Sequence, residues 1–509
     1  MIKDFATYKQ ETGGRALLLF LLFGLAIYQF VTAGFSAFAI VCCSPILVVF
    51  AYFAFKYRMF TFWTLLIANS FVMFFSMQGM LPSGIPASLY NELLEIILLS
   101  IAIVDARRTP CFERSANIML YALIMWCGFC ILEILNDTCN LGINMGAWYQ
   151  GARIMAFQLM YAFLVYTIYI DNTKVLTQYL YFWVALSLFS CFWVWKQKNL
   201  GFTPSENAWI HGPGSRTHIL QGGTLIRFFS NYTDAASFGT GMASTAVAFF
   251  IFGLTSKIKK HRIIFLITAL ACTWAMFQSG TRTAMACLIL GITAYVFLSK
   301  SIKMAAIVSV IFGFFFIILA FTNIGQGNQQ IRRMRSVFNR NDASAGVRDI
   351  NQEAMKKYMK DAPWGIGIGM DRDDVPSNNK YAVMSIVPPD SEYVNIWIRT
   401  GVIGITLFIT TMLLMLGGAC YIVLFKLKNH SLRGIGAGFC CAFISMQLGG
   451  YGNQVLMQFP NCLLFYGGLS IVYTLPFIEK EWIEFEIKEL AIQEERERLK
   501  LEKKKASRV

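Results

Sequence analysis

The chain has 509 residues, of which 56% are hydrophobic and 14% charged, and its mean hydropathy is +0.53. That is far more apolar surface than a soluble core of this length can bury, which excludes a soluble globular protein and points to an integral membrane protein. The formal charge of +15 could suit nucleic acid, but the basic residues gather in alternate short joints between apolar blocks; they serve membrane orientation, and no nucleic-acid partner is expected.

At about 20 residues per crossing, spans are expected near 16–34, 36–55, 60–79, 89–104, 116–134, 154–170 and 176–195. Seven more follow near 236–254, 263–279, 284–298, 304–322, 401–425, 434–450 and 462–476. The first block follows Lys3, Lys9 and Arg15 as a signal peptide would, but it is longer than a signal's apolar core and is expected to be retained. The expected fold class is an all-α polytopic membrane protein with about 14 transmembrane helices (12–14) and one large periplasmic loop containing an amphipathic helix. The domain reading is helices over 1–322 with an outer loop at 196–235, the large loop at 323–400, C-terminal helices at 401–476 and a charged tail at 477–509.

Lysine and arginine alternate across these joints as orientation requires. One side receives Lys56 and Arg58, Arg107 and Arg108, Lys174, Lys257 to Arg262, Lys300 and Lys303, Lys426 to Arg433, and the tail. The opposite side has almost none, which puts both termini in the cytoplasm and both long loops in the periplasm of a bacterial inner membrane. The tail from Ile478 places its acids early and Lys503 to Lys505 late, an order that suits the dipole of a solvated helix. The cysteines lie in apolar blocks as small hydrophobes, and Cys127 and Cys130, despite their CxxC spacing, read as packing.

Charges within or beside spans are costly, about 2.5–3.5 kcal/mol each on insertion scales, so their positions carry information. Glu92, Glu95, Glu133, Arg153, Arg227, Asp234, Arg282 and Arg399 all fall toward one face, the outer one. Structural pairing accounts for any one of them. As a set they point to an outward-facing site, whereas a transporter needs such groups nearer the midplane.

Within the large loop, Val347, Ile350, Ala354 and Tyr358 recur at helical spacing and predict an amphipathic helix ended by Pro363. Pro363-Trp364-Gly365-Ile366-Gly367-Ile368-Gly369 matches neither the dinucleotide nor the P-loop spacing and reads as a backbone turn that needs glycine conformations. The loop also divides by sign, with eight basic and three acidic residues over 332–360, then three basic and six acidic over 361–399. A phosphate-bearing lipid substrate would be held by the first half and worked on by the second, arginine being suited to phosphate by its planar, permanently charged fork. Attraction to lipid headgroups is the plainer account of the same charges.

The segment around Arg227, the run Ser279-Gly280-Thr281-Arg282-Thr283-Ala284, Arg348 followed by the glycine turn, and the return segment Pro389 to Gly401 resemble, in order and topological placement, the O-antigen ligase and O-antigen polymerase superfamily. The resemblance implies a membrane glycosyltransferase that moves a glycan from undecaprenyl diphosphate to a glycan, lipid A-core or protein acceptor, without cofactor or metal. It implies that Arg227 and Arg282 hold the diphosphate and that Arg348 helps place donor or acceptor, with Arg216, Asn231 and Tyr393 as further substrate-binding candidates. Family ligases carry histidine eleven residues before the glycine that here is Gly401; this chain has Asp390 there, with Glu392 two residues on. A carboxylate can accept the acceptor's proton, so Asp390 is the first candidate base and Glu392 the second, with Arg282 beside them as a catalytic cation. Ligase, polymerase and protein O-oligosaccharyltransferase stay open, as does a flippase or transporter for the same lipid-linked sugar.

Overall fold

The computed structural model describes residues 20–29, 51–80, 88–105, 112–211, 220–221, 225–301, 343–370, 374–387 and 389–506, with a few isolated positions besides. The chain divides into two compact units, residues 1–64 and 65–509. The first unit contains a short apolar helix, Phe20–Gln29, and the start of α1 (Arg58–Met77). Lys56 lies over the rings of Tyr52 and Tyr57 at 5.6 and 5.5 Å, a cation on aromatic faces.

The second unit is built from long helices: α2 (Ser88–Asp105), α3 (Ile118–Leu132), α4 (Met145–Tyr169, with a π turn at Arg153–Phe157) and α5 (Thr173–Asn199). After the short α6 (Pro204–His211) come α7 (Ala235–Thr255), α8 (Lys259–Gln278) and α9 (Arg282–Ser299). Then follow α10 (Ala343–Met359), α11 (Ala382–Ile386), α12 (Glu392–Tyr421), α13 (His430–Gly452) and α14 (Asn461–Ala506). A two-residue antiparallel ladder pairs Leu220 with Ile226 and Gln221 with Leu225.

Among the described residues ten helices are long and apolar enough to cross a membrane. The helix α2 has the length but carries Glu92, Glu95 and Asp105, and it stands outside those ten. Nearly all of the expected span 304–322 lies outside the described residues, as does more than half of 36–55, whereas most of 16–34 is described. Several expected spans were drawn too short. The return segment before Gly401 is already helical, and Gly401 interrupts α12 with φ 68° where two helices meet at a kink.

Helix starts follow local chemistry. Asn117, Asn172, Asp234 and Asn429 each accept from backbone N–H groups of the first turn, the capping role these side chains favour. The central helix is α7, whose alanine, glycine, serine and threonine content lets neighbours approach closely. A Cβ on Gly434 would meet Thr255 Oγ1 at 1.9 Å, and Ser244 bonds Ser445 at 3.0 Å across the interface.

Successive helices of the second unit run between two ends. One end carries the 279–281 turn and the starts of α7, α9, α12 and α14; the other carries the joints 256–258 and 427–429 and the C-terminal tail. We call them the turn end and the tail end. The Lys257-to-Arg262 and Lys426-to-Arg433 clusters fall at the tail end, whereas Glu133, Asp234, Arg282 and Arg399 fall at the turn end, as the alternation of spans requires.

Two expectations need correction. The tail is not simply solvated, because α14 continues without a break past Pro476 and buries Glu486. That carboxylate accepts from Ser431 Oγ, from Asn429 Nδ2 at 2.9 Å and from Lys257 Nζ at 3.1 Å. In α10 the buried face is Met355 and Met359, while Ile350 is 69% exposed. The stripe read from Ile350 and Ala354 is therefore displaced around the helix, because the methionines pack with Ile366, Tyr381 and Ile398. The helix also stops at Met359, before Pro363.

Candidate functional site

Arg227 lies just before the mouth of α7 and is buried. Its Nε donates to the Ser279 carbonyl at 3.2 Å and an NH2 to Thr281 Oγ1 at 2.7 Å, so the guanidinium clamps the turn that leads directly into Arg282. Thr281 Oγ1 in turn donates to the Ala235 carbonyl at 2.9 Å. Committed there, the Thr281 side chain makes no capping bond to α9, which opens at Arg282. The first-turn N–H groups of a helix have no partner within the helix itself. Arg282 itself is half-buried at this position.

The glycine turn explains why Gly401 must be glycine. Ile366 N bonds the Ile398 carbonyl at 2.9 Å and Gly367 N bonds the Arg399 carbonyl at 3.0 Å, so the turn runs beside the break in α12 like a paired strand. A Cβ on Gly401 would stand 1.9 Å from the Pro363 carbonyl oxygen, and one on Gly365 would stand 2.4 Å from the Arg399 carbonyl carbon. Both residues have positive φ, 68° and 76°, which L side chains rarely adopt. The turn continues onto α4, with Gly369 against the backbone of Ala147, and Asn136 Nδ2 donates to the Trp364 carbonyl at 2.8 Å. The reading of this run as a backbone turn, and not a nucleotide loop, agrees with these contacts.

That anchoring sets the segment 389–393 against the end of α13. Ser391 Oγ donates to the Gly450 carbonyl at 3.2 Å, Tyr393 Oη to Gln447 Oε1 at 2.7 Å, and Gln454 Nε2 to the Pro389 carbonyl. From the other side Asn453 Nδ2 meets Thr283 Oγ1 at 3.4 Å, and Gly452 packs on Thr283. Residues 450–454 thus join the Arg227–Arg282 turn to the Asp390–Tyr393 segment. Glu392 is buried and meets Asn395, Arg399 and the backbone of Leu456 and Met457. Asp390 is half-buried and has no hydrogen bond or ion pair among the described residues. Below Tyr393 and Gln447, between α9, α12 and α13, opens a cavity of about 380 Å³ lined by Leu290, Ile409, Leu413 and Leu416.

Residues 265–409 match the family described as O-antigen ligase. This stretch contains Arg282, the glycine turn, Asp390, Glu392 and Gly401. The match supports the O-antigen ligase/polymerase superfamily. Among curated proteins none matches the chain. The O-antigen ligase assignment carries glycan transfer in general, with a lipid-linked glycan and an acceptor as partners, and together with the apolar helices it indicates a multi-pass membrane protein.

The remaining candidates separate. Asn231 is 3% exposed and spends its amide inside the protein, accepting from Ser190 Oγ at 2.8 Å and donating to the Ser70 carbonyl at 3.2 Å. It positions the approach to Arg227 and α7. Arg348 belongs to α10, whose backbone alone is described at that residue, and Arg216 lies outside the described residues. Several other turn-end charges have structural partners: Glu92 pairs with Arg153 (3.4 Å) and Gln158 (2.9 Å), and Asp234 caps α7.

Sequence reasoning missed Glu206. It forms a capping box with Thr203: Glu206 N donates to Thr203 Oγ1 at 3.1 Å and Thr203 N to Glu206 Oε2 at 2.7 Å. Trp193, Gln197 and Lys196 also donate to its carboxylate. Burial would raise this carboxyl, but the Thr203 backbone, Gln197, Trp193 and Lys196 outweigh it and hold it below the usual carboxylate range. Thr203-Pro204-Ser205-Glu206 has the Thr-x-x-Glu signature that could have found it.

Proposed function

We propose that the chain transfers a glycan from an undecaprenyl-diphosphate-linked donor to a hydroxyl acceptor at the turn end of the bundle, and that this end faces the periplasm. The observation that carries the reading is the convergence on residues 450–454 of a cationic element, the Arg227–Arg282 turn, and a carboxylate without a partner among the described residues, Asp390. The diphosphate sits at the start of α9, where Arg282 and the uncapped first turn supply positive charge. Arg227 acts behind it by fixing the turn.

The donor's bond energy resides in its diphosphate leaving group, so no nucleotide has to be supplied outside the cytoplasm. Asp390 takes the acceptor hydroxyl's proton, with Glu392 as second base, and Arg282 stabilises charge developing on the leaving phosphate. Tyr393 marks the boundary between the polar site and the apolar cavity, which has the lining a polyprenyl chain requires. Arginine and lysine positions at the tail end agree with a cytoplasmic assignment for that end. The metal-independent mechanism follows from arginine doing the work of a cation at the phosphates.

The test is the size-resolved surface-glycan profile of a strain lacking the chain, beside its complemented parent. Acceptor bearing a single repeat assigns a polymerase; bare acceptor with accumulated long lipid-linked chains assigns a ligase-type transferase, to glycolipid or protein. An unchanged profile sinks the proposal, and loss of lipid-linked glycan from the outer leaflet replaces it with a flippase.

A further inference from the structure

Between α2, α4 and the start of α14 lies a closed cavity of about 10 Å³, lined by Asn91, Glu95, Gln158, Met457, Phe459 and Cys462 among others. It has room for about one water-sized occupant. Glu95 is 1% exposed, and both of its carboxylate oxygens lack a hydrogen-bond partner among the described residues. Asn91, also 1% exposed, contributes a third acceptor without a partner, its Oδ1. Its amide nitrogen already points to Asn69 Oδ1 at 3.5 Å. Every unpartnered polar atom of these two side chains is an acceptor, so the occupant has to bring positive charge or donated protons.

The local charge count agrees. Glu92 is closed off by Arg153 and by Gln158. Glu95 has no ion pair among the described residues. The other titratable groups near it are Glu92 on its own helix, Tyr161 and Tyr166 on α4 and Cys462 on α14. None of them is a cation, and Arg153 is already matched to Glu92. In its ionised form Glu95 leaves one negative charge over, and an unpaired buried charge is costly. One monovalent cation restores neutrality, whereas a divalent ion would overshoot it.

We propose that this cavity is a binding site for a single monovalent cation, held by the Glu95 carboxylate and the Asn91 amide oxygen. Sodium and potassium ions share the required chemistry. The site does not depend on the transferase reading. Its wall at Met457 is part of the backbone that meets Glu392, so occupancy steadies the segment on which that carboxylate rests.

The test uses the full chain purified in detergent and reads its melting temperature. Sodium, potassium and choline chlorides are compared at one ionic strength, and a pH series is run in choline. A saturable rise with sodium or potassium that Glu95→Gln abolishes assigns a metal cation. A melting temperature indifferent to the salt but falling as pH rises, with the fall absent in Glu95→Gln, shows a carboxyl kept neutral by its own proton and overturns the site. Identical responses of parent and Glu95→Gln to every salt and pH overturn the site. Should Glu95→Gln fail to fold, Asn91→Ala keeps the carboxylate and removes one ligand. It is expected to raise the half-saturating concentration of cation, and an unmoved half-saturation overturns the proposal.

Discussion

The two ends of the bundle use the same residue types to opposite effect. At the tail end, among the described residues, carboxylates are answered by the protein: buried Glu486 receives Ser431, Asn429 and Lys257, half-buried Glu479 receives the N–H groups of Lys428 and Asn429, and exposed Glu481 receives the Thr173 N–H at the start of α5. At the turn end Asp390 has no partner among the described residues, and α9 begins without a side-chain cap. A charge that its own chain saturates holds helices together. A charge held in place but left open is available to a ligand.

The sharpest way to break this comparison is to neutralise the open carboxylate, Asp390, together with the second candidate base. Asp390→Asn with Glu392→Gln is expected to lower glycan transfer by about 10²–10⁴-fold, the range of general-base catalysis, without changing the melting temperature by more than a few degrees. Transfer at the parental rate from folded protein in membranes would remove the catalytic reading of this end. Gly401→Ala comes next, since it forces a side chain into a left-handed position beside the Pro363 carbonyl. A loss of about 1–3 kcal/mol is expected, read by thermal melting, and transfer should fall with it because the 389–393 segment loses its anchor. At the tail end Glu486→Gln should cost about 1.5–3 kcal/mol of stability and leave the rate of transfer by the folded protein unchanged. A rate that falls further than the folded fraction would show that the tail end also serves the reaction.

Much of this division was legible in the residues. The alternation of basic joints located the two ends, the expense of charge near apolar spans marked Arg227 and Arg282, and the family resemblance marked Asp390 and Glu392. The glycine run announced a backbone turn, though not its partner, because pairing of Gly365 with Arg399 is a contact between distant segments that no local pattern encodes. Which charges are open was equally hidden. Arg227 and Asn231 look like ligand contacts in the sequence, yet their hydrogen bonds go to Ser279, Thr281, Ser190 and Ser70. The displaced face of α10 has a similar cause: Met355 and Met359 are buried by residues of the turn and the return segment, and helical spacing alone cannot choose between neighbouring apolar stripes.

Glu206 sharpens the comparison because it is a saturated carboxylate at the open end. Its carboxyl is held below the usual range by donors from Thr203, Gln197, Trp193 and Lys196 that outweigh burial. Its ionised form is therefore bound more tightly in the folded than in the unfolded chain. The resulting stability is fully present above the unfolded carboxylate value, about 4.3, and is lost as pH falls through the lower folded value. Other carboxylates titrate in the same window, so the quantity to measure is the melting-temperature gap between parent and Glu206→Gln. That gap is expected to be largest near neutrality and to narrow on acidification, by an amount on the order of 1–2 °C, since a protonated glutamate resembles glutamine in charge. A gap that stays constant from neutral pH to below the unfolded value would mean that the four donors act on shape and not on charge, and Glu206 would then no longer mark the boundary between closed and open carboxylates.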